Sequence, residues 1–332
     1  MEENKIPNFG LDVEKQKIDQ ASITNYQFGA VDKEVLMPDG DWTSMQPECE
    51  IQKSDYVDYM DCVTESAVNI ISMILQKKYG IKKNWSQRYI AKMSNTTRQG
   101  NSLYAVANAI RKYGMVEEKD YPRDRNMTWE EYYAPVSISV IKKGQAWGFD
   151  VNYETVATDK IILDKANEFA PPQVIGYAWA LDGNNNWYVS NGTWCNHAFV
   201  KGTKSYPDST KKAIDSYPTD FQIDDNSDKQ EFIKILSPNF YFGDALLYSV
   251  KEIEKQTVNT SLLLKLKNMF KNLVGYMDEH GMNIFWLDKK GKQKIEITTI
   301  AEMAIYMAYL KEGVIKTSSW PALVNVPDYK YF

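Results

Sequence analysis

Apolar side chains at Val63, Ala67, Ile70, Ile71, Ile74 and Leu75 recur with helical spacing, and the run stops at Gly80 just after Lys77 and Lys78. A stripe of this kind faces a core, lysines complement the negative end of a helix, and glycine supplies the left-handed residue that closes it. The pattern predicts a helix over 62–79. Two shorter helices follow by the same logic. One runs over about 85–93 with Ser86 as its cap, and one starts at Ser102 with Leu103, Val106, Ala107 and Ile110 inward and Gly114 past its end. The first half of the chain therefore reads as helical.

A further helix is expected near 153–168, after which the period changes. Pro171-Pro172 opens Gln173 to Leu181, a segment rich in strand formers, and Asp182-Gly183-Asn184-Asn185-Asn186 has turn chemistry. Trp187 to Ser190, His197 to Val200 and Lys212 to Ile214 read as three more strands. Helices first and an antiparallel sheet afterwards is an α+β plan.

Both ends of the chain stand apart from this core. The first forty residues are polar and turn-rich, ending in Pro38-Asp39-Gly40, and read as an extended arm laid over the core. Near 250–258 the pattern shifts again. Leu262 to Met277 has helical amphipathicity with Lys265, Lys267 and Lys271 on its solvated face, a hairpin is expected around Asp288-Lys289-Lys290-Gly291, and a helix near 298–312. The domains are accordingly placed at 1–252 and 253–332, the second a small α/β appendage of helix, hairpin and helix.

Composition narrows the class. In 332 residues, 43% hydrophobic and 13% aromatic is ample for a packed core. There are 39 Lys and Arg against 44 Asp and Glu, and no basic block long enough to track a phosphate backbone, so neither nucleic acid nor a membrane surface is an expected partner. The N-terminus has no basic stretch leading into an apolar one, so the expectation is synthesis in a cytoplasm without a signal peptide. No cofactor or metal is expected, because no Cys-x-x-Cys or His-x-x-x-His spacing occurs.

Chemistry is concentrated by scarcity, since there are three cysteines (Cys49, Cys62, Cys195) and two histidines (His197, His280). Cys62 opens the long helix, where the positive end of the dipole favours thiolate; a nearby imidazolium adds to this. His197 opens a strand and is the candidate base, with Asp215, at the end of the next strand, the candidate group holding the other ring nitrogen. Asp61 and Glu65 work against the thiolate if they point inward. Cys195 shares a strand face with His197 and Trp194 lies near it; ordinary packing is the bland reading of both. His280 reads as a solvated helix end.

The order Cys62, His197, Asp215 resembles the papain-like cysteine peptidases over roughly residues 38–250. Cys62-Val63-Thr64-Glu65-Ser66 is similar to that family's nucleophile helix start, Trp85-Ser86-Gln87 to its next segment, Gly100-Asn101-Ser102 with Tyr113-Gly114 and Tyr121-Pro122 to its glycine-rich turn, helix and Tyr-Pro, and Pro172 to Ala178 to its Gly-Pro-Val strand. The sequence departs from the family at Val63, where tryptophan is usual, and at Asp215, where asparagine is usual. The cysteine of the neighbouring disulfide is missing, and Gln52 lies further upstream of Cys62 than usual.

The resemblance implies a two-lobed α+β fold, a helical N-terminal half facing an antiparallel β half with the cleft between them. It implies Cys62, His197 and Asp215 as the triad and Gln52 as the oxyanion donor. The expected reaction is cleavage of peptide or isopeptide bonds by acyl transfer, on a protein or a cell-wall peptide. In style the chain is also similar to papain-like proteins encoded by bacteriophages, which carries the expectation of a virion or other protein partner at the appendage. The rival reading is an inactive papain-like module with a structural or interaction role.

Overall fold

The computed structural model describes residues 8–22, 31–48, 51–54, 56–124, 126–176, 180–181, 186–188, 195–217, 232–253, 273–277, 284–288, 294–297 and 317–318. The chain divides into two compact units, Met1–Glu254 and Lys255–Phe332.

In the first unit the helices are α1 (Val13–Ser22), α2 (Cys62–Tyr79), α3 (Gln87–Met93), α4 (Leu103–Tyr113), α5 (Trp129–Tyr132), α6 (Ile138–Gln145) and α7 (Lys160–Ala166). Its strands are β1 (Phe149–Thr155), β2 (Gln173–Gly176), β3 (Ala180–Leu181), β4 (Asn186–Tyr188), β5 (His197–Lys201), β6 (Lys211–Ile214), β7 (Ile233–Leu236) and β8 (Phe242–Glu252). They form one sheet in the order β1-β8-β2-β5-β6-β7-β4-β3, antiparallel except between β4 and β7. A helical N-terminal half and a sheet C-terminal half make this an α+β fold.

Helix α2 is the frame of the molecule. Every residue from Cys62 to Leu75 is buried, polar ones included, so a fully buried Ile70 or Ile74 contributes about 2–3 kcal/mol of transfer free energy. The helix ends at Gly80, whose φ of 68° is open to glycine at no steric cost. The two serine caps expected from sequence form as side-chain acceptors, Ser86 from the N–H of Tyr89 and Ser102 from the N–H of Ala105.

Two expected elements of this unit take another form. The helix near 153–168 divides: residues 149–155 are strand β1, paired antiparallel with β8, and the helix runs only over Lys160–Ala166. Alternate burial of Val151 and Tyr153 satisfies a strand, while the Asp159 side chain accepts from the N–H groups of Ile161 and Ile162 and starts the helix there. The N-terminal arm contains helix α1; among its other described residues Leu36 and Met37 donate their N–H groups to Glu168 O at 2.9 Å each, and just past it Trp42 is fully buried and donates through Nε1 to Asn167 O at 2.7 Å.

The second unit is described by four strands, β9 (Leu273–Met277), β10 (Ile284–Asp288), β11 (Lys294–Ile297) and β12 (Thr317–Ser318), in the order β11-β10-β9-β12. Residues 273–277, expected at the end of a helix, are strand, hydrogen-bonded to β10. Strand β10 pairs antiparallel with β11, with Leu287 opposite Lys294, which is the expected hairpin. The expected helix portions over 262–272 and 298–312 lie outside the described residues.

Candidate active site

Cys62 sits at the first position of α2 and is wholly buried. The N–H of Ala198, the residue after His197 on β5, points at Cys62 Sγ at 3.4 Å, which brings the thiol to the histidine strand. His197 Nε2 lies 2.6 Å from Asp215 Oδ1, and the same oxygen accepts the N–H of Ser216 at 2.7 Å. Neither side chain of the His197–Asp215 pair is open to solvent. Cys62, His197 and Asp215 are therefore assembled in one place, drawn from α2, the start of β5 and the end of β6.

Gln52 is also buried at this place, and every polar atom of its amide is engaged. Its Oε1 accepts from Ser216 Oγ at 3.0 Å, and its Nε2 donates to Asp58 Oδ1 at 2.8 Å and to the carbonyl of Phe9 at 2.9 Å. That carbonyl oxygen is also 3.4 Å from His197 Nδ1. A main-chain carbonyl of the protein's own N-terminal segment thus sits between the candidate base and the candidate oxyanion donor.

The segment holding Phe9 is fixed on both sides. Phe9 N–H donates to Asn196 O at 3.1 Å in the sheet half, Asn101 N–H donates to Gly10 O and Asp12 N–H to Asn101 O, both at 3.0 Å, in the helical half. The Phe9 ring meets His197 and Tyr217 edge-on at 5.7 Å each. Glycine is required at position 10, where φ is 104° and a β-carbon would lie 2.6 Å from the backbone of Met60. Helix α1 completes the attachment: Gln16 accepts the N–H of Leu103 and donates to Asp244 Oδ2 at 3.1 Å, and Gln20 donates to Asp244 Oδ1 at 3.0 Å.

Closure sets the electrostatics of the thiol. Burial pushes the Cys62 pKa well above its ordinary value; the Ala198 N–H works the other way, and the carboxylates of Asp61, Asp58 and Asp215 add to the rise. The two acidic neighbours expected to matter behave differently. Asp61 caps no N–H with its side chain and takes the hydroxyl of Tyr132 on Oδ2, whereas Glu65 turns to Arg123 at 3.0 Å, both side chains nearly inaccessible.

Cys195 packs instead against Gly243, and burial raises its pKa to about 11. Trp194, Cys49 and His280 lie outside the described residues. Among the described residues no group of three or more His, Cys, Asp or Glu could hold a metal ion. The roles of Phe9, Asp58 and Tyr217 were not apparent from sequence; Gly10, the residue that admits the close approach to Met60, is the one local signal of the segment.

Neither a protein-family model nor a curated protein sequence matches the chain. Solved structures do. Xylellain, a cysteine protease from Xylella fastidiosa, is similar with a TM-score of 0.51 at 14% identity, over 69% of this chain and 93% of that one. Digestive procathepsin L 3 of the Tenebrio molitor larval midgut aligns with a TM-score of 0.47 at 15% identity, over 68% of this chain and 74% of that one. The fold is papain-like. At such identities the likeness is one of architecture, and the chemistry rests on the residues themselves.

Proposed function

We propose that this chain is a papain-like thiol hydrolase, closed in the conformation described, that cleaves peptide or isopeptide bonds. The observation that carries the reading is the Phe9 carbonyl, held by Gln52 Nε2 at 2.9 Å and facing His197 Nδ1 at 3.4 Å beside Cys62. A site that holds one peptide carbonyl in this way can hold another once the segment is displaced.

In the open state His197 takes the proton of Cys62 and the thiolate attacks the substrate carbonyl carbon. The Gln52 amide donates to the oxygen that becomes negative. His197 then delivers its proton to the leaving amine as the C–N bond breaks, and water, deprotonated by the same imidazole, hydrolyses the thioester to acid and free thiol. Asp215 holds Nε2 throughout, fixing the ring orientation and stabilising the imidazolium. The buried, raised thiol accounts for quiescence in the closed form, because only thiolate attacks.

Full burial of Cys62 and the three carboxylates around it favour a second reading, a module that keeps the scaffold without turnover. Incubation with labelled unfolded protein and with purified cell-wall peptide separates the two. Turnover of either, abolished in Cys62→Ala and His197→Ala, supports the hydrolase and names its substrate class. No turnover, with Cys62 alkylated no faster than an ordinary thiol in native protein opened by mild urea, supports the module.

A further inference from the structure

Asp58 takes no part in the acyl-transfer steps above, yet it accepts three hydrogen bonds at the edge of the site. Its Oδ1 takes Gln52 Nε2 and the N–H of Met60, each at 2.8 Å, and its Oδ2 takes the hydroxyl of Tyr217. Met60 has a φ of 56°, an unfavoured value for a residue with a β-carbon, so the turn from Asp58 into α2 is held in place against a conformational cost. A carboxylate accepts and never donates, which decides the orientation of the Gln52 amide: nitrogen toward Asp58, oxygen toward Ser216 Oγ. A primary amide has two N–H bonds. With one committed to Asp58, the other is aimed at the Phe9 carbonyl.

The connections run across the site. Asp58 and Gln52 come from the segment before α2, whereas Asp215, Ser216 and Tyr217 follow β6. Ser216 links the two sides, since it donates its N–H to Asp215 Oδ1 and its hydroxyl to Gln52 Oε1, and its carbonyl accepts the N–H of Gln52 at 3.1 Å. From the imidazole of His197 the hydrogen bonds pass through Asp215 and Ser216 to Gln52, the proposed oxyanion donor, and beyond it to Asp58 and Tyr217.

We infer that Asp58, anchored by Tyr217, is the positioning residue that aims the second amide hydrogen of Gln52 at the reacting carbonyl. The inference rests on the hydrolase reading and adds to it a residue that touches no substrate. Oxyanion donors act through direction set in advance, and loss of one donor typically lowers turnover by about 100-fold or more. A donor that is present but misaimed loses part of that.

The test compares Asp58→Ala with Asp58→Asn in a parent that is the full chain carrying Gly10→Ala, whose β-carbon clashes with Met60 and so displaces residues 8–12 and opens the site. Asparagine keeps an acceptor oxygen for Gln52 and Met60 and offers Tyr217 a donor, so it preserves the aim while removing the charge; alanine removes both. The substrate is a peptidyl aminomethylcoumarin with phenylalanine at the acyl position, chosen because Phe9 occupies the site, and Cys62→Ala defines the background. Asp58→Ala is expected to lower kcat by about tenfold or more with KM little changed, and Asp58→Asn to stay within about threefold of the parent. Alkylation of Cys62 by iodoacetamide, which needs no oxyanion donor, is expected not to slow in either variant. Equal loss in both variants, or alkylation slowed in step with turnover, overturns the aiming role in favour of charge or structure. Parental kcat in Asp58→Ala, with turnover still dependent on Cys62, overturns this inference alone. Absence of Cys62-dependent turnover in the parent chain overturns the hydrolase reading itself.

Discussion

The carbonyl oxygen of Phe9 and Nε2 of Gln52 are 2.9 Å apart, so a distant part of the chain occupies the donor that a substrate carbonyl would use in the proposed reaction. Occupation depends on Gly10, whose φ of 104° and contact with Met60 exclude a β-carbon. Gly10→Ala is therefore expected to displace the segment without touching the triad. Cys62 should then be alkylated at least tenfold faster at neutral pH, measured by mass spectrometry of the intact protein, because reaction requires an exposed thiolate. An unchanged rate would mean that access to Cys62 is not limited by residues 8–12.

Asp215 tests how the imidazole is held. Its Oδ1 receives both His197 Nε2 and the Ser216 N–H, and an asparagine oxygen could receive the same two donors. Asp215→Asn is expected to retain turnover within about tenfold, and Asp215→Ala to lose about 100-fold or more, since only the alanine leaves the ring without an orienting acceptor. Because the Asp215 carboxylate raises the thiol pKa, the alkylation profile of Cys62 in Asp215→Asn should move toward lower pH. A larger loss in Asp215→Asn than in Asp215→Ala would contradict the orienting role.

The order of Cys62, His197 and Asp215 was legible because the chemistry needs rare residue types and the chain has few of them. The covering segment was not, because Phe9, Gly10 and Asp12 are held chiefly by main-chain N–H and C=O groups that side-chain pattern does not encode. Strand β7 escaped notice for a different reason: Lys234 interrupts the expected apolar alternation yet is buried, as are Lys201 at the end of β5 and Lys211 at the start of β6. Lys201 is satisfied there by Asp164 Oδ1 at 2.9 Å, Asn167 Oδ1 at 2.7 Å and Thr203 O at 2.7 Å, partners that only the folded chain brings together. The last residues of β1, 153–155, were read as the start of a helix because Tyr153 and its neighbours satisfy either period until pairing with β8 decides.

Behind Cys62, Arg123 pairs with Glu65 on the first turn of α2 and lies over the rings of Tyr59 and Tyr132 at 4.9 and 5.6 Å. Removing one partner of a buried pair leaves a charge that the interior must solvate, whereas replacing both with apolar residues does not. Arg123→Met alone is expected to lower stability by about 3 kcal/mol in urea unfolding, and Arg123→Met with Glu65→Leu by much less. Additive losses in the double variant would show that packing on the tyrosines, and not the charge pair, is what Arg123 contributes.

The buried thiol has a consequence for stability that can be read without substrate. In the folded chain the Cys62 pKa is raised by burial and by Asp61, Asp58 and Asp215, while in the unfolded chain the thiol returns to about 8.5. Below the unfolded value both states carry the proton and the group contributes no pH dependence. Above it the unfolded chain releases a proton that the folded chain keeps, so stability falls as pH rises toward the folded pKa. The slope for one such proton is at most about 1.4 kcal/mol per pH unit. Several tyrosines raised by burial, Tyr132 and Tyr217 among them, add their own loss at higher pH, so the parent must be compared with Cys62→Ser, in which they are unchanged. Between about pH 8.5 and 10 the parent is expected to lose urea stability more steeply than Cys62→Ser, relative to each protein's value at neutral pH. Parallel curves would mean that Cys62 ionises in the folded chain as readily as in the unfolded one, and that the thiol is not enclosed as described.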